Sequence, residues 1–100
     1  MYDFTNDSLE EEETLIAVAE MGDRARQFLG TELGQFLMGC AGSEVDECAR
    51  ELLNVDPSDV EKIRAIQMRA ATADNFTEWV NEALTMGDMA FQQIAANELN

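Results

Sequence analysis

The sequence predicts an all-α protein, either an antiparallel three-helix bundle or a long helical hairpin. Leu, Ala, Met, Glu and Gln are abundant, and one proline and six glycines among 100 residues leave few positions that interrupt a helix. No Asn-Gly or Asp-Gly pair offers the tight turn of a β-hairpin. Apolar residues recur at alternating three- and four-residue spacing, which is typical of a helix with one buried face. We therefore expect a single helical domain over residues 8–100.

The first helix is predicted at about residues 8–29, after a frayed N-terminus at residues 1–7. Ser8 and Glu11 have capping-box spacing, and the four glutamates at positions 10–13 place negative charge at the positive end of the helix dipole. Gly30 is suited to end this helix. The predicted buried stripe consists of Leu15, Val18, Gly22, Ala25 and Leu29.

The second helix is predicted at about residues 31–54, with Thr31 as its cap. Its predicted buried stripe consists of Met38, Ala41, Val45, Cys48, Leu52 and Val55, and is broadened at the start by Leu33, Phe36 and Leu37. Cys40 and Cys48 on one helix would lie about 12 Å apart, which is too far for a disulfide between them. We expect two buried, reduced thiols or, alternatively, pairing with another chain.

The third helix is predicted at about residues 57–98. Asp56 suits its cap, Pro57 its first position and Asp59 its first turn. A break near Gly87, or near Asp74, is an alternative, but the unbroken stripe favours one long helix. That stripe consists of Ile63, Ile66, Ala70, Ala73, Thr77, Val80, Leu84, Gly87, Phe91 and Ile94.

The connection at Gly30 decides between the two architectures. A sharp turn there gives the compact bundle, whereas an outward continuation gives two nearly equal arms of a hairpin. The bundle is the favoured prediction.

Charge restricts the classes of partner. Twenty-one acidic residues against six basic ones give a net charge of −15, which opposes direct binding to nucleic acid or to an anionic membrane. No basic segment followed by an apolar run opens the sequence, and no apolar stretch approaches the ~18 residues of a membrane span. We expect an intracellular protein.

The residue types needed for common catalytic and metal sites are missing. The chain has no histidine, so Cys-His and Ser-His dyads are impossible, and two cysteines alone make a structural zinc site improbable. No phosphate-binding glycine loop or EF-hand motif is present. Glutamate pairs four residues apart, such as Glu47 with Glu51 and Glu78 with Glu82, are expected to lie on solvated helix faces. We predict no catalytic, cofactor-binding or metal-binding residue, and no enzymatic activity.

A second apolar stripe occurs only in the latter half of the third helix, at Phe76, Trp79, Ala83, Met86 and Ala90. It must contact either another helix of this chain or a partner. Aromatic and methionine side chains are frequent anchors of protein interfaces. The candidate partner-binding residues are therefore Phe76, Trp79, Met86 and Met89, with a core position for Trp79 as the alternative.

The acidic residues are concentrated in residues 1–56, which carry a net charge of −11, against −4 for residues 57–100. A solvated, repulsive surface is the ordinary interpretation. The alternative is a surface that mimics a nucleic-acid duplex and inhibits a host DNA- or RNA-binding enzyme.

Several segments resemble small acidic helical proteins of tailed bacteriophages and prophages, often encoded near head and tail genes. The resemblance covers roughly residues 28–95 and rests on residues 28–30, 33–37, 55–59, 63–67 and 78–84. It implies a phage setting, in the host cytoplasm or the virion. We therefore expect a non-enzymatic protein-interaction module, a phage structural or assembly accessory protein, acting as a homo-oligomer or within a larger assembly.

Overall fold

The computed structural model describes the backbone of residues 4–99 and the side chains of residues 9–99. Three helices account for nearly all of this part: α1 spans Phe4–Gly30, α2 spans Glu32–Asn54 and α3 spans Val60–Leu99. The described residues contain no strand. The predicted all-α class and its three packed helices are confirmed, and α3 is continuous through both Asp74 and Gly87.

The start of α1 differs from the prediction. The helix begins at Phe4, one turn before the predicted cap at Ser8, so residues 4–7 are helical, while residues 1–3 lie outside the described part. No glycine or proline separates Phe4 from Ser8. Acidic residues in the first turns also favour the helix dipole, so one further turn is stable without the capping box.

Thr31 separates α1 from α2, as the sequence predicts. Its backbone is extended, with φ −85° and ψ 156°, and its hydroxyl accepts a hydrogen bond of 2.9 Å from the backbone N–H of Gly34. This bond satisfies one of the N–H groups that have no partner at a helix start. Thr31 is therefore the N-cap of α2, and α1 ends at Gly30.

The turn between α2 and α3 shows that Asp56, the predicted cap of α3, does not cap that helix. The Asp56 carboxylate accepts hydrogen bonds from the backbone N–H and the hydroxyl of Ser58, at 2.9 and 2.8 Å, and these bonds hold the pKa of Asp56 below its usual range. Pro57 lies inside this turn and not in the helix. The backbone N–H of Asp59 closes the turn by donating a hydrogen bond of 2.9 Å to the carbonyl oxygen of Asp56. Asp59, whose carboxylate accepts from the Lys62 N–H at 3.1 Å, is the true cap of α3.

The helices form two compact units. The α1 unit contains residues 4–28 and 81–99, and the α2 unit contains residues 29–80, which include α2 and the first half of α3. Both units are antiparallel helix pairs. In the α1 unit, Leu15 and Ile94 line one pocket, and the later Gly22 contacts the earlier Gly87. In the α2 unit, Val55 and Lys62 line another pocket, and the earlier Glu44 pairs with the later Arg69.

The α1 unit is built around a contact between two glycines. A Cβ on Gly22 would lie 2.7 Å from the Cα of Gly87 and 3.1 Å from the carbonyl oxygen of Ala83. The two backbones therefore touch. Ala90, on the same side of α3, is only 4% exposed, whereas Phe91 is 67% exposed. The predicted burial of Phe91 was wrong, because helices this close leave room only for small side chains between them.

The α2 unit has a thin interior. Its buried residues are Gly34, Ala41, Cys48 and Ile66. The other members of the predicted stripe on α2, such as Val45 and Leu52, are half-buried. Cys48 is buried and Cys40 is exposed, and both thiols are free. The predicted burial of Cys40 was wrong. Cys40 lies one residue before the buried Ala41, so its side chain points about 100° away from that of Ala41 around the helix.

Candidate protein-binding surface

The described residues offer no arrangement suited to a metal ion: no three Cys, Asp or Glu side chains group together in a way that could hold one. No helix in the described part has a stretch long and apolar enough to cross a membrane. The features of interest are instead apolar side chains that the helix packing leaves exposed.

The four predicted partner-binding residues all belong to α3 and are divided between the two units. Phe76 is half-buried and Trp79 is 64% exposed, and both belong to the α2 unit. Met86 and Met89 belong to the α1 unit, and each is more than half exposed. Trp79 is therefore a surface residue, and the alternative of a core position for it was wrong.

An ion cluster fixes one side of the α2 unit. The Arg69 guanidinium lies 2.8 Å from a carboxylate oxygen of Glu44 and 2.7 Å from one of Glu51. Because Glu44 and Glu51 belong to α2 and Arg69 to α3, all three side chains must lie on the same side of the helix pair. Other residues on this side follow from helical spacing.

On α2, Leu33 and Cys40 each lie eleven residues, about three turns, before Glu44 and Glu51 respectively, so they point in nearly the same directions. Phe36 lies between them in sequence. Leu33 is 62% and Phe36 is 66% exposed, so the prediction that they broaden the buried face of α2 was wrong.

On α3, Phe76 lies seven residues, about two turns, after Arg69 and therefore points to the same side, followed by Trp79. In the antiparallel register that brings Glu44 beside Ala73, Cys40 lies level with Thr77, and Phe36 lies about one helical turn further along α3. Helical spacing thus places five side chains on one side of the α2 unit, hereafter the aromatic face: Leu33, Phe36, Cys40, Phe76 and Trp79.

Electrostatics next to the aromatic face are dominated by carboxylates. Glu44 and Glu51 hydrogen-bond to Arg69 and raise the pKa of its guanidinium, which stays charged. Two carboxylates against one cation leave a surplus negative charge at this cluster. Residues 29–80 as a whole carry ten acidic and four basic residues, a net charge of −6.

Cys48 lies beneath this ion cluster. Burial raises the pKa of its thiol, assisted by Glu44 and Glu51, while the positive charge of Arg69 partly offsets the rise. Its Sγ donates a long hydrogen bond of 3.8 Å to Glu44. The thiol is therefore protonated and unreactive near neutral pH, and its role is packing.

The sequence indicated the α3 half of the aromatic face but missed the α2 half. Leu33, Phe36 and Cys40 also follow three- and four-residue spacing, displaced around α2 from the stripe that contains Ala41. A second apolar stripe on α2, matching the one on α3, was the available signal.

No known protein family, no curated protein sequence and no solved structure matches this chain significantly.

Proposed function

We propose that the protein is a non-enzymatic protein-interaction module and that the aromatic face is its binding surface. The observation that carries this proposal is the exposure of Leu33, Phe36 and Trp79 on one side of the α2 unit. Single exposed apolar residues are common, but adjoining large ones on a soluble surface mark interaction sites. Tryptophan in particular is enriched among the residues that dominate binding energy.

The setting we propose is that of a phage structural or assembly accessory protein, carried in the virion or acting in the host cytoplasm. Support comes from the resemblance described above and from the lack of histidine, which leaves binding as the simplest role. Met86 and Met89 remain candidates for a separate contact on the α1 unit, where both are exposed.

Inhibition by nucleic-acid mimicry has less support. The glutamates at positions 10–13 are consecutive on α1, so their carboxylates point in four directions about 100° apart. Within the α2 unit, Glu44 and Glu51 are engaged by Arg69. The glutamates at positions 10–13 therefore form no row along one face, and the row of Glu44, Glu47 and Glu51 on α2 is interrupted by the cation of Arg69.

A selection experiment tests the proposed function without knowledge of the natural partner. The full chain is used to select binders from a library of helical peptides, and each binder is measured against two variants. Phe36→Gln alters the aromatic face, whereas Leu53→Gln alters an 84% exposed leucine elsewhere on α2. We expect Phe36→Gln to weaken the selected peptides by about tenfold or more, and Leu53→Gln to leave them unchanged.

Two results would contradict the proposal. One is a library that yields no binder; the other is a set of binders that Phe36→Gln does not affect. Circular dichroism of both variants serves as the folding control. Neither side chain is buried, so helix content should match that of the wild type.

A further inference from the structure

We infer that the partner of the aromatic face is a basic amphipathic helix of another protein. This inference rests on the proposed function and names the chemistry of its partner. Two features of the α2 unit support it: the shape of the aromatic face and the sign of the charges around it.

The shape favours a helix. The α2 unit is an antiparallel pair of helices, and the furrow along one side of such a pair accepts a third helix at the usual interaxial distance of about 8–10 Å. Leu33 and Phe76 lie towards the middle of the aromatic face, because their positions are turned only about a quarter-turn from the buried stripes. Phe36 and Trp79 are turned about 140° from the buried Ala41 and Ile66, so they lie at the outer edges of the aromatic face and would contact the flanks of a helix lying in the furrow.

The small number of large buried side chains in the α2 unit also favours a helical partner. The buried positions of the α2 unit are mostly small, with Ile66 as the one large side chain among them. A third helix on the aromatic face would bury large apolar surface that the two helices leave in water. Burial of this kind contributes roughly 25 cal/mol per Å² of apolar area.

The charges favour a basic partner. The cluster of Glu44, Arg69 and Glu51 carries one surplus negative charge. On the same side, Glu47 adds a carboxylate and Lys62 adds a cation, so one surplus negative charge remains. Lysine or arginine at the edges of an incoming helix would meet these groups. Opposite charge at the edge of an apolar contact chiefly increases the association rate and selects the partner.

A second copy of this chain is the less favourable occupant. Each copy carries a net charge of −15, and the cation adjacent to the aromatic face, Arg69, already contacts two carboxylates of its own chain. Lys62 lies on the same side but two turns further from the aromatic face, next to Glu47 and Glu51. Pairing two aromatic faces would therefore bring like charges together.

The test uses three designed helical peptides with the same leucine stripe and a polar face of lysine, glutamine or glutamate. Trp79 is the only tryptophan, so its fluorescence reports on the aromatic face directly. We expect the lysine peptide to bind the full chain with one-to-one stoichiometry and a blue shift of Trp79. Its affinity should exceed that of the glutamine peptide by about tenfold and fall as salt is raised from about 50 to about 300 mM.

The variants exclude general attraction between a cationic peptide and an acidic protein. Phe36→Gln and Leu53→Gln both preserve the net charge, so a purely electrostatic association would be equal for the two. We expect Phe36→Gln to weaken the lysine peptide by about tenfold and Leu53→Gln to change it by less than about twofold. Equal affinity for both variants would overturn the inference.

The remaining outcomes separate the inference from the proposed function. If the glutamine or glutamate peptide binds as tightly as the lysine peptide, the partner is not basic, although the face still binds helices. If sedimentation shows a dimer that Phe36→Gln dissociates, the occupant is a second copy. If no peptide binds and the chain is monomeric, both the inference and the proposed function fail.

Discussion

Alanine at Gly87 should destabilise the protein, although alanine normally favours a helix more than glycine does. A Cβ at this position would lie 2.6 Å from the Cα of Gly22 and 3.2 Å from its nitrogen. Ordinary van der Waals contact begins at 3.4 Å, and the obstructing atoms are backbone. Rotation of a side chain cannot relieve this overlap, so α1 and α3 must move apart locally.

The expected magnitude combines two opposing terms. Overpacking of a tight contact costs about 1–3 kcal/mol. Replacing glycine by alanine within a helix returns about 0.5–1 kcal/mol. Because backbone atoms obstruct the Cβ, the overpacking cost should lie in the upper part of its range, about 2–3 kcal/mol. The net loss in free energy of unfolding for Gly87→Ala should therefore be about 1–2.5 kcal/mol, and the same holds for Gly22→Ala.

Two other glycines provide matched controls. Gly39 and Gly42 are also inside a helix, and a Cβ at either position would have no neighbour within 4 Å. Only the helix-propensity term applies there, so Gly39→Ala and Gly42→Ala should stabilise the protein by about 0.5–1 kcal/mol. The predicted effects on the two pairs of positions thus differ in sign.

Urea unfolding followed by far-ultraviolet circular dichroism measures all four variants under one condition. The double variant of Gly22 and Gly87 should deviate from additivity, because the two substitutions act on one contact. If Gly87→Ala stabilises the protein as much as Gly39→Ala does, the helices do not touch at these glycines and the reasoning is refuted.

Three further predictions concern the α2 unit. Ile66→Ala should lower the free energy of unfolding by about 2–4 kcal/mol because Ile66 is 3% exposed, whereas Met68→Ala, on the exposed surface, should change it by less than about 0.5 kcal/mol. Thermal unfolding of the two variants tests this difference. Thr31→Ala should cost about 1 kcal/mol through loss of the cap on Gly34, and Thr31→Ser should restore most of it in the same assay. The pKa of Asp56 is lowered in the folded state, so the contribution of its carboxylate to stability is complete above the unfolded pKa of about 3.9 and is lost as pH falls through the folded pKa. The difference in free energy of unfolding between the wild type and Asp56→Asn should therefore shrink below about pH 4. A difference that stays constant with pH would contradict this prediction.

The buried stripes could be predicted from the sequence because helical periodicity is a local property. Ala41 and Ile66 were assigned to buried faces on spacing alone, and both are buried. Thr31 was assigned as a cap from residue type and position, and its hydroxyl makes the expected bond. Each of these features depends on residues within a few positions along the chain.

Features that depend on the distance between helices could not be predicted. Ala90 and Phe91 both fit three- and four-residue spacing, and only the contact of Gly22 with Gly87 decides which one faces α1. In the same way, Asp56 and Asp59 flank Pro57 as equally good capping residues. The Ser58 hydrogen bonds to Asp56 decide between them, and these bonds form only in the folded turn.

Only part of the aromatic face could be predicted, again because it depends on how the helices pack. Exposure of Trp79 requires that no other helix covers that side of α3, which spacing within α3 cannot reveal. Phe36 was placed in the interior together with Leu33 and Leu37, because the three form an apolar group at the start of α2. Of these, only Leu37 is half-buried. The ion pairs of Arg69 supplied the missing information, since they fix which sides of α2 and α3 coincide.

The two thiols of this chain differ in a way that offers a practical route to its partner. Cys40 is exposed on the aromatic face, while Cys48 is buried and its thiol pKa is raised. A maleimide reagent should therefore modify Cys40 alone, without any engineered residue. A photoactivatable crosslinker attached there would become covalently linked to whatever protein rests on Phe36 and Trp79, which would allow its peptides to be sequenced.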